Sequence, residues 1–155
     1  MGSAGGWLVR LARMAAVTVV EIRSFRESDF AGVDALWREA FPDEPARNAA
    51  AIAIPAKLAA QPDLLLVAAV AARIVGSINA GYDGHRGWLY NVAVLKSHRR
   101  RGVGTALVRE AEKRLTALGC PKINLQVRST NAAVVGFYKR LGYTVEERIS
   151  MGKLL

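Results

Sequence analysis

Arg99-Arg100-Arg101-Gly102-Val103-Gly104-Thr105-Ala106-Leu107 runs three arginines into two closely spaced glycines and then into an amphipathic helix. Glycine has no Cβ and tolerates positive φ, so the backbone here can approach a ligand closely. The N–H groups that open a helix have no intrahelical partner, and the helix dipole favours negative charge beside them. Such a stretch is an anion site, suited to a phosphorylated ligand. The helix that follows is the clearest element in the chain. Val103, Leu107, Ala111, Leu115 and Leu118 form one apolar stripe, Glu110 and Arg114 pair on the wet side, and Gly119 ends it.

The pattern extends outward from that loop. Upstream, Trp88 to Val94 reads as a strand, preceded by the loop Gly81-Tyr82-Asp83-Gly84-His85-Arg86-Gly87. Before the loop come strands at Leu64 to Ala71 and Ile74 to Ala80, an Ala-rich helix from Asn48 to Ala60, and a helix ending near Phe41. Ser28 or Asp29 is the expected cap of that first helix, and Val17 to Arg23 is the expected first strand. Downstream, Ile123 to Val127 is a strand, Asn131 to Leu141 a helix stopped by Gly142, and Tyr143 onward is strand-like. The order β-α-α-β-β-β-α-β-α-β predicts an α/β (α+β) domain with helices on both faces of a mixed sheet. Residues 17–155 form this single domain, and 1–16 read as a flexible extension, with Met14 a candidate start.

Composition narrows the function. With 155 residues and 52% hydrophobic content, the chain is long enough for a real core and too apolar for disorder. A net charge of +9 favours an anionic partner without choosing among nucleic acid, phosphorylated cofactor or acidic surface. One cysteine, Cys120, excludes an intrachain disulfide, and with two histidines and no ligand spacing no metal site is expected. Neither a membrane-spanning run nor a signal-peptide core is present, and a lone thiol fits the cytoplasm.

Two common phosphate motifs are excluded. No Gly-x-x-x-x-Gly-Lys-Ser/Thr string occurs, and Leu107 stands where a dinucleotide fingerprint needs its third glycine. The sequence instead resembles the GNAT superfamily of N-acetyltransferases, from about Glu21 to the C-terminus. Arg99-x-x-Gly102-x-Gly104 is similar to the family's pyrophosphate loop. Asn131-Ala-Ala-Val-Val-Gly-Phe137-Tyr138-Lys-Arg-Leu-Gly142-Tyr143 is similar to its Asn-x(5)-Phe-Tyr-x-x-x-Gly-Phe/Tyr segment.

The resemblance implies a mostly antiparallel central sheet of six to seven strands with about four helices. It implies acetyl-CoA as donor and a primary amine as acceptor, joined by direct attack in a ternary complex. Arg101, Gly102, Val103, Gly104 and Thr105 would cradle the pyrophosphate, with Arg99 and Arg100 adding charge. Val92, Ala93 and Val94 would pair with the pantetheine arm, and a backbone N–H near Val92 would stabilise the oxyanion. Tyr138 would act as general acid toward the departing thiolate, and Asn131 would cap its helix and touch the arm. Many relatives carry a glutamate base before the loop, and this chain has His85-Arg86-Gly87 there. Asp83, and less so Glu44, are the substitutes. Tyr82, His85, Arg86, Trp88 and Tyr90 are the acceptor-pocket candidates, Arg86 suiting a carboxylate. A catalytically weak acyl-CoA-binding module and a basic nucleic-acid-binding domain are the alternatives. A monomer or a homodimer is expected, since exposed sheet edges pair.

Overall fold

Leu65-Leu66-Val67-Ala68-Ala69 lacks the apolar–polar alternation of a half-exposed strand, and all five side chains are buried. Such a run belongs to a strand covered on both faces. The structure, a computed structural model, describes residues 19–155. In chain order it contains β1 (Glu21–Ser24), α1 (Phe30–Ala40), α2 (Ala50–Ala60), β2 (Leu65–Val70), β3 (Arg73–Tyr82), β4 (Gly87–Val94), α3 (Val103–Ala117), β5 (Ile123–Leu125) and α4 (Ala132–Arg140). The strands form one sheet in the order β1-β2-β3-β4-β5. Every pairing is antiparallel except β4 with β5.

The two faces of the sheet carry two cores. Leu65, Val67, Ala69 and Ala93 meet Val33, Leu36 and Trp37 of α1 and Ile54 of α2. On the other face Leu66, Ala68, Ile78 and Leu89 meet Leu107, Ala111 and Leu115 of α3 and Tyr138 of α4. Val103, Leu107, Ala111 and Leu115 of the expected α3 stripe are buried, whereas Leu118 is 55% exposed because the helix ends at Ala117, before Gly119 with its φ of 82°. Pro55 lies inside α2, where it leaves the Ala51 carbonyl without an intrahelical donor. Among the described residues no helix is long and apolar enough to cross a membrane.

Three expectations need correcting. Asp29 stands at the start of α1 without capping it through its side chain. Its carboxylate instead accepts two hydrogen bonds from the Arg23 guanidinium, at 2.6 and 2.9 Å, and one from the Arg26 N–H at 2.8 Å. The link between β2 and β3 is Ala71-Ala72, both with positive φ (46° and 65°), so a tight turn forms without Asn-Gly. Among the described residues the sheet has five strands rather than six or seven. The segment after Tyr143 is irregular and reaches β5 and its flanks by side chains: Lys122 to Glu146, Asn124 to Glu146 and Gln126 to Ser150. Strand formation depends on cross-strand packing, and Val145, Ile149 and Met151 stay exposed. The proposed extension at 1–16, the first residues of the expected first strand and Met14 lie outside the described residues.

Candidate active site

β5 pairs with β4 only through Gly87–Ile123, Trp88–Asn124 and Leu89–Leu125. From Tyr90 to Val94, β4 has no strand partner on that side among the described residues, so a gap opens between the two strands. The other edge of β4 is held by β3 and contains a bulge. Ser77 pairs with Ala93 and Asn79 with Tyr90, which leaves Ile78 facing both Asn91 and Val92. Asn91 absorbs the extra residue with φ 47°, a conformation asparagine tolerates better than most.

The bulge sets which backbone groups face the gap. Leu95 N–H donates to Val75 O at 2.8 Å, which fixes the phase of the ladder. Ala93, two residues back, therefore also turns its polar groups toward β3. Val92 and Val94 turn theirs toward the gap. Of the three β4 residues expected to hold the cofactor, Val92 and Val94 present backbone groups there, while Ala93 belongs to the ladder and the α1–α2 core. An extended ligand bearing amides can add to this edge as a further strand. The Arg99 Nε donates to Val94 O at 3.1 Å, stationing that side chain where the edge ends.

The loop beyond the edge has the geometry of an anion cradle. Arg100 and Gly102 both adopt positive φ, 59° and 79°, and Gly102 stands at the N-cap of α3 with no side-chain cap. The bond from Ala106 N–H to Gly102 O closes the first turn, leaving Val103, Gly104 and Thr105 N–H groups without helical partners. No acidic residue lies in that turn, and Arg99, Arg100 and Arg101 are all exposed around it. The Val103 side chain is in the core, so its backbone alone serves the cradle. A Cβ on Gly104 would lie 3.4 Å from the Phe137 ring and 3.7 Å from Val94, ordinary contact distances that place the start of α3 beside α4 and β4.

α4 brings Tyr138 to this region. Asn131 caps the helix, its Oδ1 accepting the Val134 N–H at 3.3 Å. The Tyr138 ring packs edge-on against Phe137 and Tyr143, with centroids 5.0 and 5.6 Å away. It is 7% exposed, and burial pushes its phenol up to about 12. Its hydroxyl has no hydrogen-bond partner among the described residues and is not sealed from solvent. Tyr143 differs: its hydroxyl donates to Glu112 Oε1 at 3.0 Å and is committed. Tyr138 thus offers a protonated, unengaged hydroxyl on the groove between β5 and α4.

The sequence profile of the Acetyltransferase (GNAT) family matches residues 23–143, from β1 to just past α4. The chain belongs to the GNAT family of acetyltransferases. Its activity is acetyl-CoA-dependent N-acetyl transfer. It is 46% identical over 136 residues to an acetyltransferase of Pectobacterium atrosepticum, covering 88% of this chain and 96% of that one. Among solved structures it is similar to Ard1 from Thermoplasma volcanium, with TM-score 0.74, 25% identity, and 82% and 84% of the two chains covered. It shares its fold with an aminoglycoside N-acetyltransferase in complex with CoA, at TM-score 0.72 and 21% identity, covering 88% and 95%.

The α2 side of β4 holds the aromatic acceptor candidates of this acetyltransferase, and Trp88 also lines the groove that holds Tyr138. Trp88 and Tyr90 stack there, 6.4 Å between centroids and 20° from parallel. Tyr82 does not join them: it packs on the α3 core, its hydroxyl 3.5 Å from Gly119 O. Arg86 lies at the loop, donating to His85 O at 3.0 Å. Asp83 is a turn residue in this acetyltransferase. Its Oδ1 accepts the His85 and Arg86 N–H groups, both at 2.7 Å, and these bonds hold its carboxyl below the usual range. A general base near neutrality needs the opposite shift. Glu44 is engaged as well, by Arg128 at 2.9 Å and Asn48 at 2.6 Å.

Sequence reasoning missed two groups beside the site. Gln61, just past the end of α2, brackets Tyr82, accepting its N–H and donating to its carbonyl, while Lys57 of α2 donates to Ala80 O. Burial pushes the Lys57 amine down to about 8. Trp37 and Ser77 form a buried hydrogen bond of 2.9 Å beneath the bulge. The one available signal for the second pair was a serine between the apolar residues Val75 and Ile78 of β3.

Proposed function

We propose that the acetyl group passes directly from acetyl-CoA to a primary amine within a ternary complex, the amine arriving over Trp88 and Tyr90. One observation carries the direct route. The sole cysteine, Cys120, stands beside Gly87 at the start of β4, its Sγ donating to Lys122 O at 3.2 Å. The bulge lies four residues along, about 13 Å at strand rise, so no thiol is placed to carry the acetyl group.

Each step then falls to a group already described. The cradle N–H groups of Val103 to Thr105, with Arg99 to Arg101, hold the pyrophosphate of acetyl-CoA by charge-assisted bonds. The outward groups of Val92 and Val94 hold the pantetheine amides. The Val92 N–H, at the bulge, donates to the carbonyl oxygen as the amine attacks and negative charge develops there. The Tyr138 hydroxyl donates to the sulfur as the C–S bond breaks. With Asp83 and Glu44 engaged, the amine loses its proton to solvent. Arg86, one step beyond Trp88, offers a partner to an acceptor that bears a carboxylate.

Initial-rate kinetics test the route. A panel of primary amines, with and without a carboxylate, is assayed for CoA release while both substrates vary. Intersecting double-reciprocal lines and no acetylated protein by mass spectrometry without acceptor are expected. Parallel lines with an acetyl-protein intermediate would overturn direct attack. Tight acetyl-CoA binding with no turnover across the panel would favour the binding-module reading.

A further inference from the structure

We propose that Ser77 and Trp37 are positioning residues that set the orientation of the Val92 N–H in the gap. The inference rests on the reading of that N–H as the donor to the thioester carbonyl.

The argument starts at the bulge. Two residues of β4 stand opposite one residue of β3, so the Asn91 carbonyl drops out of the regular ladder. A half-buried carbonyl needs another donor. Ser77 supplies it, its Oγ 3.4 Å from Asn91 O. Ser77 is fully buried, and a hydroxyl has one proton to give. That proton is directed to Asn91 because the Trp37 indole N–H, 2.9 Å away, takes a lone pair of the same oxygen. Trp37 is itself locked in the α1 core at 5% exposure.

The consequence for Val92 is geometric. All peptide bonds among the described residues are trans, so the Asn91 C=O and the Val92 N–H point in opposite directions from one peptide plane. Anchoring the carbonyl toward Ser77 on β3 aims the N–H away from β3, into the space where β5 has left the sheet. Rotation of that plane is the free movement at a bulge residue with positive φ, and it would swing the N–H out of the gap. The chain Trp37–Ser77–Asn91 opposes that rotation, and its Trp37–Ser77 link joins residues 40 apart in sequence. A donor held in place before reaction costs no reorganisation when charge develops.

Three variants and one spectroscopic readout test this. Ser77→Ala lowers kcat by roughly 10- to 100-fold, with KM for acetyl-CoA within about twofold of wild type. It also strands the buried Trp37 N–H, so Tm falls. Adding Trp37→Phe removes the stranded donor and raises Tm again, while kcat stays low. Trp37→Phe alone leaves the Ser77 hydroxyl in place and lowers kcat less than Ser77→Ala does. The infrared carbonyl band of bound, carbon-13-labelled acetyl-CoA is red-shifted in the wild type and moves back toward its solution value in Ser77→Ala. A wild-type band at the solution position overturns the Val92 reading itself. A shifted wild-type band that is retained in Ser77→Ala, or a kcat that recovers with Tm in the double variant, overturns the positioning role and leaves the Val92 reading standing.

Discussion

Tyr138→Phe isolates one atom of the proposed chemistry. The Tyr138 hydroxyl has no hydrogen-bond partner among the described residues, so its removal strands none of their groups, and the ring keeps its edge-on contacts with Phe137 and Tyr143. Stability should therefore change by less than about 0.5 kcal/mol. The loss appears only when negative charge forms on the departing sulfur. A charge-assisted hydrogen bond is worth about 1.5–3 kcal/mol, which corresponds to a fall in kcat of roughly 10- to 150-fold. Burial holds the phenol at about 12, against about 8.5 for an alkyl thiol. Complete proton transfer from Tyr138 is uphill by roughly 5 kcal/mol, so the hydroxyl acts by sharing its proton, and sulfur receives its final proton from solvent. This refines the general-acid role. It also means that Tyr138 itself adds no falling limb to the kcat profile below about pH 10. The assay is CoA thiol release at saturating acetyl-CoA, with melting followed by circular dichroism. A kcat within threefold of wild type, with Tm unchanged, would refute the reasoning. So would a raised KM for acetyl-CoA with kcat untouched.

Four further outcomes follow from named groups. Gly102→Ala forces a Cβ onto a residue with φ 79°, costing about 1–2 kcal/mol of stability. Its effect on function should be a several-fold rise in the Kd for CoA by calorimetry, with kcat little changed. Replacing Ala71-Ala72 by Asn-Gly relieves two positive-φ alanines at the β2–β3 turn. Tm should rise by roughly 2–6 °C at unchanged kcat. The Arg23 hydrogen bonds hold the Asp29 carboxyl below its ordinary value. The stabilisation from that pair is complete above about pH 4 and is lost as pH falls through the lowered value. Asp29→Asn should lower stability at pH 7 by about 2–3 kcal/mol, with a smaller deficit in acid, measured by urea denaturation. With Asp83 and Glu44 both engaged, the rise of kcat/KM with pH should follow the amine pKa of each acceptor. An inflection near pH 6–7 that stays put when the acceptor is changed would show an enzyme base.

Much of the architecture is legible in the residues because its signals are local. The α3 stripe begins at Val103 in the sequence reading and in the structure, since glycine conformation and apolar spacing are both short-range properties. Trp88 to Val94 is a strand in both, with Gly87 added. The anion cradle is legible for the same reason: it consists of backbone at a helix start. Asn131 is legible as a cap because a cap acts within three residues. The acceptor face was not legible in the same way. Tyr82 and Tyr90 were grouped on chemistry, yet Tyr82 belongs to the α3 face and Tyr90 to the α2 side. Asp83 looks like a free acid in sequence, and the two N–H groups that engage it come from the turn it builds. The last strand failed because its apolar residues find no packed surface.

The sequence by itself determined the order of elements from β1 to α4 and the candidate cradle between Arg99 and Thr105, and its likeness to the GNAT segment made Tyr138 a candidate. The first two depend on backbone conformation and periodicity within a turn or two. Tertiary structure alone decided which polar groups are free to act. The Tyr143 hydroxyl is spent on Glu112, 31 residues away, while that of Tyr138 has no partner among the described residues. Glu44 is spent on Arg128, 84 residues away. The Asn91 carbonyl is caught by Ser77 and, through it, by Trp37. A donor or acceptor is available for chemistry only if no neighbour has taken it, and its neighbours are brought together by packing rather than by position in the chain.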